Sequence, residues 1–218
     1  MDRIALLKKG ISLLGLPVEE SIIEKMIVYI NEITLWNSGP GKNKPGVRLL
    51  GGGSQEIIIQ HTLDSLAGLE VFRRYTPGTI ADIGSGAGFP GIPLSFFLKD
   101  SKITLVERSG RKAAFLRSAA AVLSQGNVNV LEADFKGIKK QYDAVTFRAF
   151  GKLDEICPDI FPLLHPRGKI FAYKGTSESA DKECENLRNC CGGELEVRIY
   201  PLEVPFLKEE RHLILIQK

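Results

Sequence analysis

Between Thr79 and Gly91 the chain reads Thr-Ile-Ala-Asp-Ile-Gly-Ser-Gly-Ala-Gly-Phe-Pro-Gly, an apolar segment that runs through Asp82 into Gly84, Gly86, Gly88 and Gly91. Glycines at alternate positions let backbone N–H groups approach a ligand with no Cβ in the way, and a helix opening beyond them adds the positive end of its dipole. The spacing is that of a nucleotide-binding turn. Gly86-Ala-Gly88-Phe-Pro-Gly91 satisfies the dinucleotide pattern, whereas the denser run Asp82-x-Gly84-x-Gly86-x-Gly88 suits S-adenosylmethionine. Glu107 closes the next apolar segment, where a carboxylate can accept hydrogen bonds from both hydroxyls of an adenosine ribose. Both cofactors carry that ribose. Asp82 discriminates between them: beside the glycines it suits an ammonium group such as methionine's and is badly placed for a pyrophosphate.

Further along, Asp134 follows the third apolar segment, where an adenine amino group can be read, and Thr146-Phe147-Arg148-Ala149-Phe150 ends the fourth, where a methyl acceptor would sit. Lys174, in Tyr173-Lys174-Gly175, and Arg211, in Glu209-Glu210-Arg211-His212, bring two more cations to strand ends. Arg148, Lys174 and Arg211 are expected to converge on phosphate or a purine edge. The chain has no Asn-Pro-Pro-Tyr tetrad to accept from an exocyclic amine and no Pro-Cys nucleophile for pyrimidine C6; Cys157-Pro158 is reversed and reads as structural. Cys157, Cys184, Cys190 and Cys191 lack C-x-x-C pairing and read as reduced thiols. His61, His165 and His212 share no metal-ligand spacing, so no metal site is expected.

These residues need elements to hold them. Ile4, Leu7, Ile11 and Leu14, then Ile22, Met26, Ile30 and Ile33, recur at helical spacing on either side of Pro17. From Asn37 to Gly53 the chain turns to glycine, Pro40, Pro45, Lys42, Lys44 and Arg48 with no acid, which reads as a mobile basic loop. Ser54 is expected to cap one helix over 55–75, with Ile58, Leu63, Leu66 and Leu69 on its buried face. Beyond it strands are expected at 79–83, 102–106, 127–131, 142–147, 169–173, 195–200 and 211–217. Helices at 93–98, 111–123, 153–164 and 177–190 alternate with them. That alternation predicts an α/β fold, a mostly parallel seven-stranded sheet closed by a hairpin rather than by a second βαβ half. Two parts follow: a helical extension, 1–76, carrying the basic loop 37–53, and a core, 77–218.

With 218 residues, 44% of them hydrophobic, the chain can bury a full core, and disordered or fibrous classes are excluded. A formal charge of +3 permits a nucleic-acid partner without requiring one. No stretch approaches the roughly 18 uninterrupted apolar residues of a membrane span, and the start lacks a signal-peptide core, so a cytoplasmic protein without a membrane partner is expected.

As a set, Trp36-Asn37, His61-Thr-Leu-Asp64-Ser65-Leu66, Asp82 to Pro93, Leu105-Val-Glu107 with Arg111-Lys112-x-x-Phe115-Leu116, Arg148-Ala149-Phe150, Lys174-Gly175 and Glu210-Arg211-His212-Leu213 resemble the glucose-inhibited division B family, ribosomal small-subunit methyltransferase G. The resemblance covers most of the chain. It implies a Rossmann-like class I S-adenosylmethionine-dependent methyltransferase, bacterial and cytoplasmic, that methylates guanine N7 in 16S ribosomal RNA of the small subunit and releases S-adenosylhomocysteine; a monomer is expected. Asp82, Gly84, Ser85, Gly86, Gly88, Phe89, Glu107, Asp134, Phe135 and Arg148 are then expected at the cofactor. Arg148, Lys174 and His61, with Asp64 beside them, are expected at the reacting groups, and Lys112, Lys174, Arg211, Lys42, Lys44 and Arg48 along the RNA. The chain departs from the family after Trp36-Asn37, where an Asn-Leu-Thr segment is replaced by the Gly/Pro/Lys loop. It also has Gln60 in place of an Arg, and Asp134-Phe135-Lys136 in place of an Arg followed by Glu residues. Two other classes remain open on the residues alone: a nicotinamide-dependent oxidoreductase, and a non-catalytic RNA-binding protein with a vestigial fold.

Overall fold

The computed structural model describes residues 2–38, 48–191 and 195–218. Among them are helices α1 (Arg3–Leu13), α2 (Glu20–Asn37), α3 (Ser54–Glu56), α4 (Asp64–Ala67), α5 (Leu69–Tyr75), α6 (Gly91–Phe97), α7 (Gly110–Val122), α8 (Leu153–Ile160) and α9 (Ser177–Cys191), with a π-helical segment, Ile57–Leu63, between α3 and α4. The strands are β1 (Thr79–Ile83), β2 (Lys102–Glu107), β3 (Val128–Glu132), β4 (Tyr142–Arg148), β5 (Leu164–Lys174), β6 (Glu196–Leu202) and β7 (Arg211–Gln217). They form one sheet in the order β3-β2-β1-β4-β5-β7-β6. The first five pair in parallel and β7 runs antiparallel to both β5 and β6.

Successive side chains of a strand point to opposite faces, and here both faces are apolar, so the sheet separates two cores. Ile80, Ile103, Leu105, Ala144, Phe171 and Leu213 belong to one; Ala81, Val106, Val145, Phe147, Ile170 and Ile214 belong to the other, with α8 and α9. On the first face α6 and α7 cover only the β1–β3 half. The remainder is covered by the N-terminal segments, whose Leu7, Met26, Ile30, Leu63 and Phe72 share that core with the strands. Phe72 stacks on Phe171 of β5 at a centroid distance of 4.1 Å, and the Tyr173 hydroxyl donates to the Ser65 carbonyl at 2.6 Å. These contacts hold residues 54–75 beside the C-terminal ends of the strands.

That segment is not the single α-helix expected. Its apolar stripe includes a step of five from Ile58 to Leu63, too long for an α-turn, and the chain meets it with wider π-turns in which Thr62 Oγ1 reaches back to the Ile57 carbonyl at 3.2 Å. Ser54 does not cap it either: Gly53 holds the N-cap position, and its N–H donates to Glu56 Oε2 at 2.6 Å. β5 starts at Leu164, five residues before the expected start, because a register shift between Tyr142 and Ala144 lets the strand continue through Pro166, which has no N–H for the ladder. Asn37 closes the base of the basic loop, accepting from Leu49 N at 2.8 Å and donating to the Leu50 carbonyl at 3.0 Å. Lys42 and Lys44 lie outside the described residues; Arg48 is exposed.

A Cβ on Gly68, between α4 and α5, would stand 2.5 Å from the Tyr173 hydroxyl. Gly68→Ala must therefore displace the tyrosine that ties this segment to β5. We expect a loss of about 1–3 kcal/mol, read as a lower urea midpoint at unchanged slope; an unchanged midpoint would show that the tie is not needed.

Candidate active site

β1 and β4 are neighbours although β2 and β3 follow β1 in sequence, so the chain reverses direction across the sheet at this pair. The crevice outside the strand ends at such a reversal is where ligands bind in open α/β sheets. The glycine turn leaves β1 at this point. Gly84 and Ser85 donate to the Val106 carbonyl at 2.9 and 3.1 Å, and Gly84 takes φ +68°. A Cβ there would be strained and would also come within 2.3 Å of the Phe150 ring. Gly86 N–H donates to Glu107 Oε2 at 3.0 Å and Ser109 N–H to Oε1 at 2.8 Å, which fixes that carboxylate at the end of β2.

Glu107, Gly84, Asp134, Phe135, Lys112 and Phe150 are among the residues lining a cavity of about 430 Å³. It is of the size that takes small ligands. Asp134 also accepts from Lys136 N–H at 3.0 Å, opening a short 3-10 turn that carries Phe135. Beneath the glycine turn Asp82 is fully buried, with Gly91 N–H on Oδ2 at 3.0 Å and no hydrogen-bond partner on Oδ1 among the described residues. Burial pushes its carboxyl up to about 7 against the pull of the Gly91 N–H. An adenosine-sized cavity with a fixed carboxylate, next to an orphaned buried carboxylate oxygen, fits S-adenosylmethionine. Glu107 would hold the ribose and Asp82 the ammonium.

The second half of the site is built around Arg148, the last residue of β4. Its Nη1 donates to the Gln60 carbonyl at 2.9 Å and to Asp64 Oδ2 at 2.8 Å, and Nη2 meets His61 Nδ1 at 2.6 Å. Because the backbone carbonyl is used, the family departure at Gln60 leaves this contact intact. Arg211 Nε stands 3.6 Å from the other Asp64 oxygen. Burial raises the Asp64 carboxyl more than Arg148 and Arg211 lower it. Burial, then the same two cations, push His61 down to about 3, so the ring is neutral near pH 7. Phe89, from the glycine turn, joins the halves: its ring lies 5.4 Å from His61 and 5.4 Å from the Arg148 guanidinium carbon.

Lys174 does not join this cluster. The pleat directs Arg148 to the face of Ala144 and Arg211 to the face of Leu213, where Asp64 waits, but Lys174 to the face of Ala172. There Lys174 bonds Glu183 Oε2 of α9 at 2.6 Å and the Gly151 carbonyl at 2.7 Å. The expected convergence of three cations is thus a convergence of two, with Lys174 bound on the opposite face. Ser85 turns back onto the Asp82 carbonyl at 2.8 Å, and Gly88 is bounded by Ile92 and Tyr29. Tyr29 is an unexpected member of the site: its hydroxyl donates to the Ala87 carbonyl beneath the turn. Its helical spacing marked only core. Cys157 is buried, with its thiol pushed up to about 12.

Among the described residues no helix is long and apolar enough to cross a membrane. An adenosine-type cavity at the β1/β4 reversal of a sheet whose seventh strand is antiparallel defines the methyltransferase class of α/β folds. The fold recurs in a methyltransferase from Pyrococcus furiosus (TM-score 0.56, 16% identity, 71% of this chain and 82% of that one). It recurs also in TYW2 of P. horikoshii, solved with MeSAdo (TM-score 0.56, 10% identity, 72% and 62%). Residues 22–214 match the family model described as rRNA small subunit methyltransferase G, and the chain belongs to that family. Relatives carrying that name include those of Treponema denticola, 32% identical over 98% of this chain and 94% of its own, and Coxiella burnetii, 35% identical over 95% of each.

Asp82 generates a test. Its folded carboxyl, at about 7, lies above the ordinary 3.8, so its contribution to stability is present below the ordinary value and is lost as pH rises through about 7. We expect Asp82→Asn to raise the melting temperature of the unliganded protein at pH 8. The same change should weaken S-adenosylmethionine by about 10- to 100-fold, the worth of a charged hydrogen bond, and flatten the rise in affinity between pH 6 and 8. Calorimetric titration showing equal affinity for both proteins would remove Asp82 from the ammonium site.

Proposed function

We propose that this protein transfers a methyl group from S-adenosylmethionine to N7 of a guanosine in 16S ribosomal RNA. Family membership supports the class of substrate. The observation that carries the chemistry is that Phe89 joins the cofactor turn to a cluster of fixed donors with no free base. His61 is neutral and receives Arg148 at Nδ1, and Asp64 is held by Arg148. When bound, the cofactor supplies an electrophilic methyl, and guanine N7 has a lone pair and no proton to lose. Reaction therefore needs alignment and no general base.

In this reading Gly84, Glu107, Phe135 and Phe150 seat the adenosine, and Arg148 holds His61 and the Gln60 carbonyl beside the methyl-bearing end. Arg211, with its side chain about one-quarter exposed, faces incoming RNA. Lys112, at the cavity wall, and the charges of the basic loop meet phosphate. The hairpin that closes the sheet gives the oxidoreductase alternative no second nucleotide-binding half. Location in the cytoplasm follows from a ribosomal substrate.

The deciding experiment is transfer of labelled methyl to small-subunit RNA from a strain lacking this gene, with the modified base then mapped. Methyl found on any atom other than guanine N7 would refute the reading. Arg148→Ala should lower turnover on the order of 100-fold with cofactor affinity nearly kept; because it strands a buried carboxylate, Arg148→Lys serves as the milder variant. Near-normal turnover in both would dismiss Arg148 from the reacting end. Neutralising Lys42, Lys44 and Arg48 together should reduce the slope of log affinity against log salt by about 2, at roughly 0.7 per phosphate contact. An unchanged slope would take the loop off the RNA.

A further inference from the structure

We propose that His61, through Nε2–H, is the hydrogen-bond donor that reads O6 of the target guanine, and that Arg148 acts on the base through it. The inference rests on the methyl-transfer reading above. A guanidinium has N–H donors and no acceptor. The 2.6 Å contact between Arg148 Nη2 and His61 Nδ1 is therefore a hydrogen bond only if Nδ1 offers its lone pair. The single proton of the neutral ring must then be on Nε2. A second proton on Nδ1 would face a donor, so the contact excludes the imidazolium form on geometry alone. Nε2 has no hydrogen-bond partner among the described residues, and the ring is set by Arg148 on one edge and Phe89 on one side.

Arg148 is less suited to the task. Its Nη1 is committed to the Gln60 carbonyl and Asp64, and one Nη2 hydrogen to His61. Those bonds make it a frame, with Asp64 fixing its position from a buried α4. The outcome is a donor of one fixed tautomer beside the residue that joins the cofactor turn. Guanine presents O6 and N7 on the same edge, so a donor on O6 positions the base and leaves the N7 lone pair free. Adenine presents an amino group at the corresponding place, which sets donor against donor. An unpaired polar contact of this kind is how a site rejects a near-isostere.

The test is a cycle between enzyme and base. Small-subunit RNA carries, at the mapped position, either guanosine or 2-aminopurine riboside, which keeps N7 and the 2-amino group but lacks O6. Wild type is compared with His61→Phe, which keeps a ring and loses the donor, and with His61→Gln, whose amide places a donor near Nε2. Wild type should lose about 10- to 100-fold in kcat/KM on 2-aminopurine, the range of one specific donor contact. His61→Phe should be slow on guanosine and lose little more on 2-aminopurine, while His61→Gln recovers part of both rate and discrimination. Cofactor affinity should stay within a few-fold throughout. Multiplicative losses in His61→Phe would overturn the proposal, as would nitrogen-15 spectra between pH 6 and 8 showing the proton on Nδ1. If wild type leaves guanosine unmethylated, the parent reading falls and takes this one with it.

Discussion

The guanidinium of Arg148 joins two parts of the chain that nothing in their local sequence brings together. It sits at the end of β4 and takes three partners, Gln60, His61 and Asp64, from a segment 84 to 88 residues earlier. Asp64 is buried, so without a cation its charge would have no counterpart, and removing one member of such a pair typically costs about 3–5 kcal/mol. The interaction therefore fixes the rotation of residues 57–67 about their own axis. That segment covers the sheet face left bare by α6 and α7, so its placement sets the first core as well as the site. Phe72 on Phe171 and Tyr173 on Ser65 hold the same segment from its far end. Packing brings it to the sheet, and Arg148 sets how it turns.

The π-turns belong to the same constraint. Ile58 and Leu63 are both fully buried, yet a helix of α-period cannot present positions five apart on one line while turning His61 and Asp64 to the strand ends. A wider turn resolves the conflict at the cost of poorer backbone geometry. Such turns cluster at functional sites because regular helices do not need them. The sequence already places Ile58 and Leu63 on one buried face, so the five-residue step was visible there, but an unbroken α-period was expected across it.

What was legible in the sequence divides along local and long-range lines. The placement of the glycine turn, Asp82 and Glu107 was readable because it follows from backbone freedom and from position at a strand end. Those properties survive without knowledge of neighbours. The seven strands were readable from alternation, and the start of β5 was missed because Pro166 masks a strand that a register shift accommodates. The cation cluster was readable only as a set of strand ends. Whether a residue at a strand end faces one core or the other depends on a single step of the pleat. Arg148 and Arg211 fall on the Asp64 face and Lys174 falls on the Glu183 face, although all three looked alike by position. The role of Tyr29 under the turn was not legible at all, since a buried tyrosine at helical spacing looks like any core residue.

The two buried aspartates differ in how much cationic compensation the fold gives them. Burial raises both, but the fold supplies Asp64 with its own cations, Arg148 within 2.8 Å and Arg211 at 3.6 Å. Asp82 receives one backbone N–H; like Asp64 it has an Oδ1 without a hydrogen-bond partner among the described residues, but among those residues no cation is in ion-pair contact with it. Local rules favouring stability would place an amide or an apolar residue there. Natural proteins break such rules where function needs it. A carboxylate with cations in contact holds structure; one in a nucleotide turn with none in contact would suit a cation from outside. S-adenosylmethionine carries an ammonium that Asp82 would hold in the proposed site. The cost of burying the Asp82 charge would then fall when that ammonium binds, so the turn would favour a cationic cofactor over a neutral nucleoside.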